Sequence, residues 1–381
     1  MPTRPREILQ LLQAKQKDFQ HFDQLTLQGL QAYRQAWEQL PPGTLEITPA
    51  GVESFGPTLG GILRRNLSWQ NREESLAWVR QNLQGVATFA VDGSQIYPSK
   101  DISIPVALVQ IGWFENRHTP EGNYEKEIRL DVLTPEDLRD FGGGLADRKV
   151  NLHRFQMEIQ RLIEYIEEHA GDRQCLVLMD GSLVATFAEA FDRSTQEQYT
   201  RCLVALLQAS ETHQVPLVAY VDTSYARDLV QLLQRHGSES PGALPDLPTL
   251  HDAQLVNPRM AWGDRTPLLR CQREILSQCY GSQGDRIGYT YLKTHEGYPA
   301  RLEVPLWVYE VGRLEQVLDW VRGEVIIGSG YPYAIETADQ VAVLQADDRQ
   351  TFFRLLQDWA DRADVRLRFS RKMVSKARRR F

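Results

Sequence analysis

Residues 86–96 read Val-Ala-Thr-Phe-Ala-Val-Asp-Gly-Ser-Gln-Ile, and residues 175–184 read Cys-Leu-Val-Leu-Met-Asp-Gly-Ser-Leu-Val. In each stretch, a short apolar run that is typical of a buried β-strand ends in aspartate, glycine and serine. Such strands would deliver Asp92 and Asp180 to the rim of one sheet. Two neighbouring carboxylates repel each other unless a cation lies between them or one takes up a proton. The pair therefore indicates a site for hard divalent metal ions.

The pattern around these motifs predicts an α/β fold with the element order β-β-β-α-β-α-β. The first three strands have short connections, which favours an antiparallel meander. The later strands are joined by helices, which favours right-handed parallel crossovers. The predicted strands are 86–92, 104–114, 124–133, 175–180 and 216–222, and the predicted helices are 149–169 and 196–212. We therefore expect a mixed five-stranded sheet.

The flanking regions predict an N-terminal helical extension and C-terminal α+β additions. Helices are expected at 5–40, 73–83, 225–236, 314–322, 334–344 and 349–363, a strand pair at 287–292 and 301–311, and a short strand at 324–327. The predicted domain organisation is an N-terminal extension (1–84), a main domain (85–345, with its core at 85–236) and a C-terminal helix with a basic tail (346–381).

Composition restricts the class of protein. The 381 residues are 42% hydrophobic and 24% charged, with a formal net charge of −7, which is ordinary for a folded soluble chain. We find no apolar run of the roughly 20 residues that a membrane span needs, nor a signal-peptide core, and so expect a cytoplasmic protein. The four cysteines form no CxxC pair, which disfavours zinc. The acid-free tail from Arg366 is either a phosphate or acidic-partner contact or a solvated segment.

Further acidic residues accompany the two aspartates. Glu158 lies beside the apolar stripe of the 149–169 helix and could point to the sheet, Asp222 ends the fifth strand, and Asp339 lies in a late helix. Each has a purely structural alternative, because aspartate before glycine is common in turns and acids are common on helix surfaces and in first turns.

Convergence of these carboxylates would permit two-metal phosphodiester chemistry. Two Mg²⁺ or Mn²⁺ ions about 3.5–4 Å apart can stabilise both the attacking and the leaving oxygen. Asp92 is the candidate bridging ligand, because the first strand would lie centrally in the sheet. Lys100, Arg154 and Arg227 are candidate contacts to backbone phosphates, and the Ser94 hydroxyl could orient a carboxylate or a phosphate.

At these residues the chain resembles the NurA family of prokaryotic nucleases. The resemblance rests on Val91-Asp-Gly-Ser-Gln-Ile96, on Leu178-Met-Asp-Gly-Ser-Leu183 and on Gly330-Tyr-Pro-Tyr-Ala-Ile-Glu-Thr-Ala-Asp339. It implies an RNase H-like core and a Mn²⁺- (or Mg²⁺-) dependent single-strand endonuclease and 5′–3′ exonuclease. It also implies a role in DNA end resection and double-strand-break repair, a homodimer, and partnership with a HerA-type hexameric ATPase.

The resemblance also suggests roles for individual residues. Asp92 and Asp180 match the two motif aspartates. Glu158 is the best match to the family's helix glutamate, and Glu164 is the second candidate. Tyr225 falls where the family has a tyrosine or an equivalent polar residue after the fifth strand. Asp339 stands where family members often carry histidine, which leaves the last metal ligand open.

Three other functions were weighed. The first is a NurA-like module that binds DNA or an ATPase with weak or no catalysis, which the acidic charge balance and Asp339 in place of the family's histidine favour. The second is a metal-mediated adhesion domain of the von Willebrand A type, which needs Asp-x-Ser-x-Ser. Neither Asp92-Gly-Ser-Gln-Ile96 nor Asp222-Thr-Ser-Tyr-Ala226 has the second serine. The third is a sugar-kinase-like phosphotransferase, for which we find no Gly-rich nucleotide motif.

Overall fold

The computed structural model describes residues 4–39, 51–53, 61–139, 146–237, 244, 249–368 and 370. The chain forms two compact units. The larger comprises residues 69–220, 273–287 and 303–381, and the smaller comprises residues 1–68, 221–272 and 288–302. The domain division expected from the sequence, with boundaries after residues 84 and 345, stays a prediction.

The regular elements follow one another in chain order. The first group is α1 (Pro5–Ala14), α2 (Gln16–Gln39), α3 (Arg72–Leu83), β1 (Ala87–Ile96), β2 (Ala107–Asn116), β3 (Tyr124–Leu133), α4 (Ala146–Glu168), β4 (Cys175–Asp180), α5 (Arg193–His213) and β5 (Leu217–Val221). The second is α6 (Asp228–Gly237), α7 (Asp252–Val256), β6 (Leu269–Arg270), α8 (Glu274–Cys279), β7 (Ile287–Leu292), β8 (Ala300–Pro305), α9 (Trp307–Glu310), α10 (Leu314–Ile327), α11 (Tyr333–Ala342) and α12 (Ala346–Arg362).

The predicted five strands lie in a mixed sheet in the order β3-β2-β1-β4-β5. Strand β8 follows β5 in that sheet, so the predicted number of five strands is too low. Strand β2 runs antiparallel to β1 and β3, whereas β1, β4 and β5 are parallel. This is the strand order of an RNase H-like core, so the predicted fold class is confirmed. The parallel strands are joined through α4 and α5, as helical crossovers require.

Two helices cover opposite sides of β1. On one side, Phe89 stacks on Tyr165 of α4 with 3.7 Å between ring centroids. On the other side, the Thr88 hydroxyl donates to Glu324 of α10 at 2.9 Å. Helix α11 packs against β1 and β2 through small buried alanines, which let its backbone approach the sheet. Side chains alternate along a strand, so Asp92 shares the side of Thr88.

The smaller unit pairs β6 with β7 in antiparallel register. Buried charges in this unit are matched by partners. Asp252 accepts hydrogen bonds from the backbone N–H groups of Leu229 and Val230 and so caps the start of α6. The Arg301 guanidinium donates to Asp228 at 2.8 Å. These groups satisfy donors and acceptors that would otherwise destabilise the fold.

Several predicted elements differ from the structure. The helix expected at 314–322 runs to Ile327, and the strand at 324–327 is wrong, because this helix is apolar on most sides and buried, which outweighs the β-propensity of its last residues. Residues 307–310 are helical rather than strand. The first helix is interrupted at Lys15. Most of the basic tail, from residue 371 onward, lies outside the described residues.

No helix within the described ranges combines the length and the apolar character that crossing a bilayer would require.

Candidate active site

The two Asp-Gly-Ser motifs have different backbones. Strand β1 continues through the first, with Asp92 opposite Gly112 and Ser94 opposite Gln110 of β2. Strand β4 ends at Asp180, and the following Gly181 has a φ of +113°. The prediction that both aspartates end their strands therefore holds for Asp180 and is wrong for Asp92. Only the second motif needs glycine for its backbone conformation.

Gly93 is required for a different reason, namely close approach. A Cβ at this position would overlap the Glu158 carboxylate and would lie 2.8 Å from Cγ of Arg154. Both side chains belong to α4. The missing side chain at Gly93 therefore lets the helix carboxylate lie directly against β1 at the residue after Asp92, where the charge of Asp92 acts on it.

Helix α11 brings Asp339 to the same strand. The Asp92 and Asp339 carboxyl groups are close enough to interact directly. The close packing of α11 depends on Gly112, because a Cβ there would meet the backbone nitrogen of Ala342 at 2.6 Å. The Ser94 hydroxyl donates to the Ala342 carbonyl and accepts from the Leu344 N–H, which attaches the end of α11 to β1.

Asp180 is held by a residue that the sequence reasoning did not single out. The Tyr331 hydroxyl donates to Oδ1 of Asp180 at 3.0 Å. The Tyr331 ring packs edge-on against Tyr220 of β5, with 5.2 Å between centroids. Tyr331 lies in the Gly-Tyr-Pro-Tyr segment, so that motif contributes a carboxylate-orienting group.

Glu158 carries the most perturbed carboxyl of the site. Its side chain is 15% exposed, and Arg154 donates to its Oε1 at 2.6 Å. Burial, together with the negative charges of Asp92 and Asp180, raises the pKa of Glu158 to about 8, although Arg154 opposes the shift. A carboxyl that titrates near neutral pH is a frequent feature of functional sites.

Asp92 is perturbed in the same direction. Burial, followed by the hydrogen bond with and the charge of Asp339, raises the pKa of Asp92 to about 6. The Gly93 N–H and the Arg154 charge oppose this shift. Asp92 therefore interacts with Asp339, and Glu158 interacts with Asp92 and Asp180, so the four acids form a chain of neighbours with an excess of negative charge. That they form one metal site stays a prediction.

The donor set suits a hard cation in its chemistry. All four side chains offer carboxylate oxygens, which Mg²⁺ and Mn²⁺ prefer, and their mutual repulsion is what a bound cation relieves. They do not form a preorganised metal site: within the described part of the chain, no three His, Cys, Asp or Glu side chains are close enough together to hold an ion. Arg154 and Tyr331 hold two of the carboxylates in their present positions.

The other predicted site residues hydrogen-bond to other groups of the chain, lie in a turn or belong to the smaller unit. Ser94 has both of the partners given above, and Lys100 is exposed in a turn after β1. Tyr225 and Arg227 belong to the smaller unit. There the Tyr225 side chain is 71% exposed and its ring meets His251 edge-on at 4.9 Å. Asp222, in the same unit, lies 3.3 Å from Nε2 of His295, a residue that the sequence reasoning also missed.

A buried acid in α10 supports the helix that carries Asp339. The Glu324 side chain is fully buried and accepts from the Ala334 N–H in the first turn of α11 at 2.8 Å and from Thr88 of β1 at 2.9 Å. Nε2 of His118 lies 3.1 Å from the same carboxylate. A glutamate inside an apolar helix was the available sequence signal, and the strand expected at 324–327 obscured it.

Comparison with known proteins gives one family. The sequence profile of the NurA domain matches residues 86–344. No curated protein sequence matches the chain significantly.

Similar solved structures include the catalytic domain of human endonuclease V, at 15% identity and a TM-score of 0.31, with 75% of this chain and 96% of that chain covered. Endonuclease V of Ciona intestinalis, in complex with a 24-mer DNA that contains an inosine followed by a ribo-adenosine, gives 11% identity and a TM-score of 0.29, with 74% and 96% covered. Neither similarity bears on the chemistry of the site.

Proposed function

The chain belongs to the NurA family of nucleases, and from this premise we propose that it is a divalent-metal-dependent deoxyribonuclease. The observation that carries the proposal is the electrostatic interaction of Glu158 with Asp92 and Asp180 and of Asp92 with Asp339, which connects acids from β1, α4, β4 and α11. Their mutual repulsion contributes to raising the pKa of Glu158 to about 8 and that of Asp92 to about 6. A bound cation would stabilise the charged forms of both groups.

Asp92, Glu158, Asp180 and Asp339 would hold Mn²⁺ or Mg²⁺. When bound, such ions supply Lewis-acid stabilisation of the attacking and leaving oxygens of a phosphodiester. Asp92 is the central ligand in this proposal, because it interacts with both Asp339 and Glu158. Tyr331 orients Asp180 through its hydroxyl.

Arg154 supplies the positive charge of the site. It now donates to Glu158 and, at 3.1 Å, to the Gly93 carbonyl. Exchange of Glu158 for a phosphate oxygen would free that carboxylate for a metal ion and would bind the substrate backbone at the same time. Arginine suits this role because its planar donors match phosphate geometry.

The finer assignments are supported by the family resemblance alone. They are cleavage of single strands internally and from 5′ ends, a role in DNA end resection and double-strand-break repair, a homodimer, a HerA-type hexameric ATPase as partner, and a cytoplasmic location. Ser94, Lys100, Arg227 and Tyr225 stay predicted contacts or site residues.

The test is digestion of end-labelled linear and single-stranded DNA with Mn²⁺, with Mg²⁺ or with EDTA. We expect the wild-type protein to cleave with either ion, Asp92→Ala to be inactive, and Asp361→Ala, an exposed acid on α12, to match the wild type. Cleavage by Asp92→Ala at the wild-type rate, or by the wild type in EDTA, would rule out the assigned site. Repeating the digestion with a HerA-type ATPase shows whether activity needs the partner.

A second candidate, the weakly catalytic binding module, is favoured by one observation. Glu158 is paired with Arg154, and no three acidic side chains of the described residues are close enough together to coordinate one ion. If this candidate is correct, the wild-type protein binds DNA but does not cleave it with either ion, whether or not the ATPase is present.

A further inference from the structure

An exposed aromatic ring lies in the segment that leaves the candidate site. Phe187 follows Asp180 by a few residues, in a short 3₁₀ turn formed by Thr186–Ala190, and it is 46% exposed. A single exposed apolar ring is common, but this one packs on further aromatic rings next to the candidate site.

Other rings fix the orientation of Phe187. It meets Tyr199 of α5 edge-on, with 5.1 Å between centroids and 85° between planes. Phe155 of α4 lies 6.2 Å from it and 5.0 Å from Tyr199. Tyr199 is buried, so Phe187 rests on a packed base. We call Phe155, Phe187, Tyr199 and Phe191 the aromatic cluster.

The aromatic cluster borders the carboxylates. Phe155 is next to Arg154 in the chain, and Arg154 binds Glu158. Burial raises the pKa of the Tyr199 phenol to about 12, and the charges of Arg154 and Glu158 also act on it. A strand that passes the carboxylates on this side would therefore meet the cluster next.

A groove of about 840 Å³ continues from the cluster. It runs along one face of α5 and against the end of α8, and its lining includes Phe191, Arg193, Arg201 and Glu197. Phe191 joins the two features, because its ring stacks on Tyr199 at 5.8 Å. The Arg148 guanidinium lies 5.4 Å from the Phe191 ring centroid. Arg193 pairs with Glu197 at 2.9 Å, so the groove has two arginines to one acid.

From these features, and on the basis of the proposed function, we infer that the aromatic cluster and the groove bind an unpaired DNA strand next to the carboxylate site. A base stacks on Phe187, and backbone phosphates contact Arg193 and Arg201. Every base has a π-face, so such a platform accepts any sequence. A base inside a duplex is already stacked on its neighbours, so the platform distinguishes single strands from paired ones.

The experiment measures binding without cleavage, on the full chain in EDTA. The probes are a fluorescent oligothymidylate and a blunt hairpin duplex, each followed by anisotropy. We expect Phe187→Ala to weaken binding of the single strand roughly fivefold or more, which is the size of one lost base stack, and to leave duplex binding unchanged. Phe187→Trp should retain wild-type affinity, and Trp359→Ala, which removes an exposed ring of α12, should have no effect.

The role of the two arginines is tested by the salt dependence of single-strand binding. The Arg193→Ala/Arg201→Ala double variant should reduce the slope of log K against log salt for the single strand by about 1.4, since each lost phosphate contact removes about 0.7. Equal single-strand affinity of Phe187→Ala and wild type, or an unchanged salt slope in the double variant, overturns the inference. Thermal unfolding of each variant excludes a loss of fold as the cause.

The two proposals fail in different ways. If the wild type binds the oligothymidylate through Phe187 but does not cleave DNA with Mn²⁺, the nuclease proposal fails and the platform stands. If it cleaves DNA with Mn²⁺ and its affinity is independent of Phe187, the platform fails and the nuclease stands.

Discussion

The carboxyl group of Asp92 on β1 lies against that of Asp339 on α11, so a proton on Asp92 relieves the repulsion between two negative charges. Burial and this neighbour together raise the pKa of Asp92 to about 6. Without a cation, the site is therefore partly protonated near neutral pH. Protons and metal ions compete for the same oxygens, and this competition determines how the protein responds to pH.

The first prediction is that the negative charges of Asp92 and Glu158 lower the metal-free stability of the fold. Asp92 and Glu158 have folded-state pKa values of about 6 and 8, above their ordinary values of 3.8 and 4.5. The folded state therefore binds more protons than the unfolded state between about pH 4 and pH 8, so metal-free stability falls as pH rises through that window. We expect Asp92→Asn to be inactive and yet more stable than the metal-free wild type at pH 8, by on the order of 2 kcal/mol. Urea unfolding in EDTA at pH 5 and pH 8 measures this, and equal stability at pH 8 would contradict it.

The second prediction is that metal stabilisation grows with pH. Ions bind the deprotonated carboxylates, so Mn²⁺ should raise the unfolding temperature little at pH 5 and much more at pH 8. A ligand at 100 times its dissociation constant adds about 2.7 kcal/mol. Differential scanning fluorimetry with and without Mn²⁺ measures the shift, with Asp361→Ala as the control. A shift of the same size in Asp92→Asn and wild type would place the ion elsewhere.

The third prediction separates the two motif glycines. Gly93→Ala introduces a Cβ where the Glu158 carboxylate lies, so cleavage should fall by at least tenfold as Glu158 is displaced. At Gly181 the space is open but φ is +113°, so Gly181→Ala should instead lower the free energy of unfolding by about 1–3 kcal/mol. Activity assays and denaturant unfolding on both variants test the contrast. The same ratio of lost activity to lost stability in the two variants would show that the glycines are equivalent.

This difference also shows how far the sequence could be interpreted. The strand order, the position of Asp180 at the end of β4 and the orientation of Glu158 toward the sheet were predictable, because apolar runs, helix stripes and the handedness of crossovers are local or topological signals. The role of Gly93 was not, because it depends on a helix side chain 65 positions away that occupies the space of a Cβ.

The C-terminal elements were harder to predict. Residues 324–327 include three β-branched residues, which favour a strand locally, yet burial of α10 against its neighbours makes them helical. Tyr331 and Glu324 act through partners that are distant in sequence, Asp180 and Thr88 respectively. A single sequence contains no signal for such pairs.

The fourth prediction concerns Tyr331. Tyr331→Phe removes the hydroxyl that donates to Asp180 and retains the ring that packs on Tyr220. Removal of a group that orients a metal ligand weakens metal binding by about 10-fold or more, so we expect Mn²⁺ to bind roughly 10-fold more weakly. The hydrogen bond is solvent-exposed, so its loss should lower metal-free stability only slightly. Isothermal titration of Mn²⁺ measures this. Tyr298→Phe, an exposed tyrosine of the smaller unit, is the matched control, and equal affinity of Tyr331→Phe and wild type would remove Tyr331 from the site.

The fifth prediction concerns the buried Glu324, which connects β1, His118 and the first turn of α11. Burial alone would lower the pKa of His118, but the hydrogen bond and charge of Glu324 outweigh it and raise that pKa above 6.5. The stability from this pair is therefore fully present below pH 6.5 and is lost as pH rises through the folded-state value. Glu324→Gln should destabilise the protein by about 1–3 kcal/mol at pH 6 and by less at pH 9. Because α11 carries Asp339, the variant should also weaken Mn²⁺ binding.

A double-mutant cycle with His118→Asn, measured by urea unfolding at both pH values, isolates the pair. A coupling energy near zero at pH 6, or one that does not decrease by pH 9, would show that the two side chains act independently.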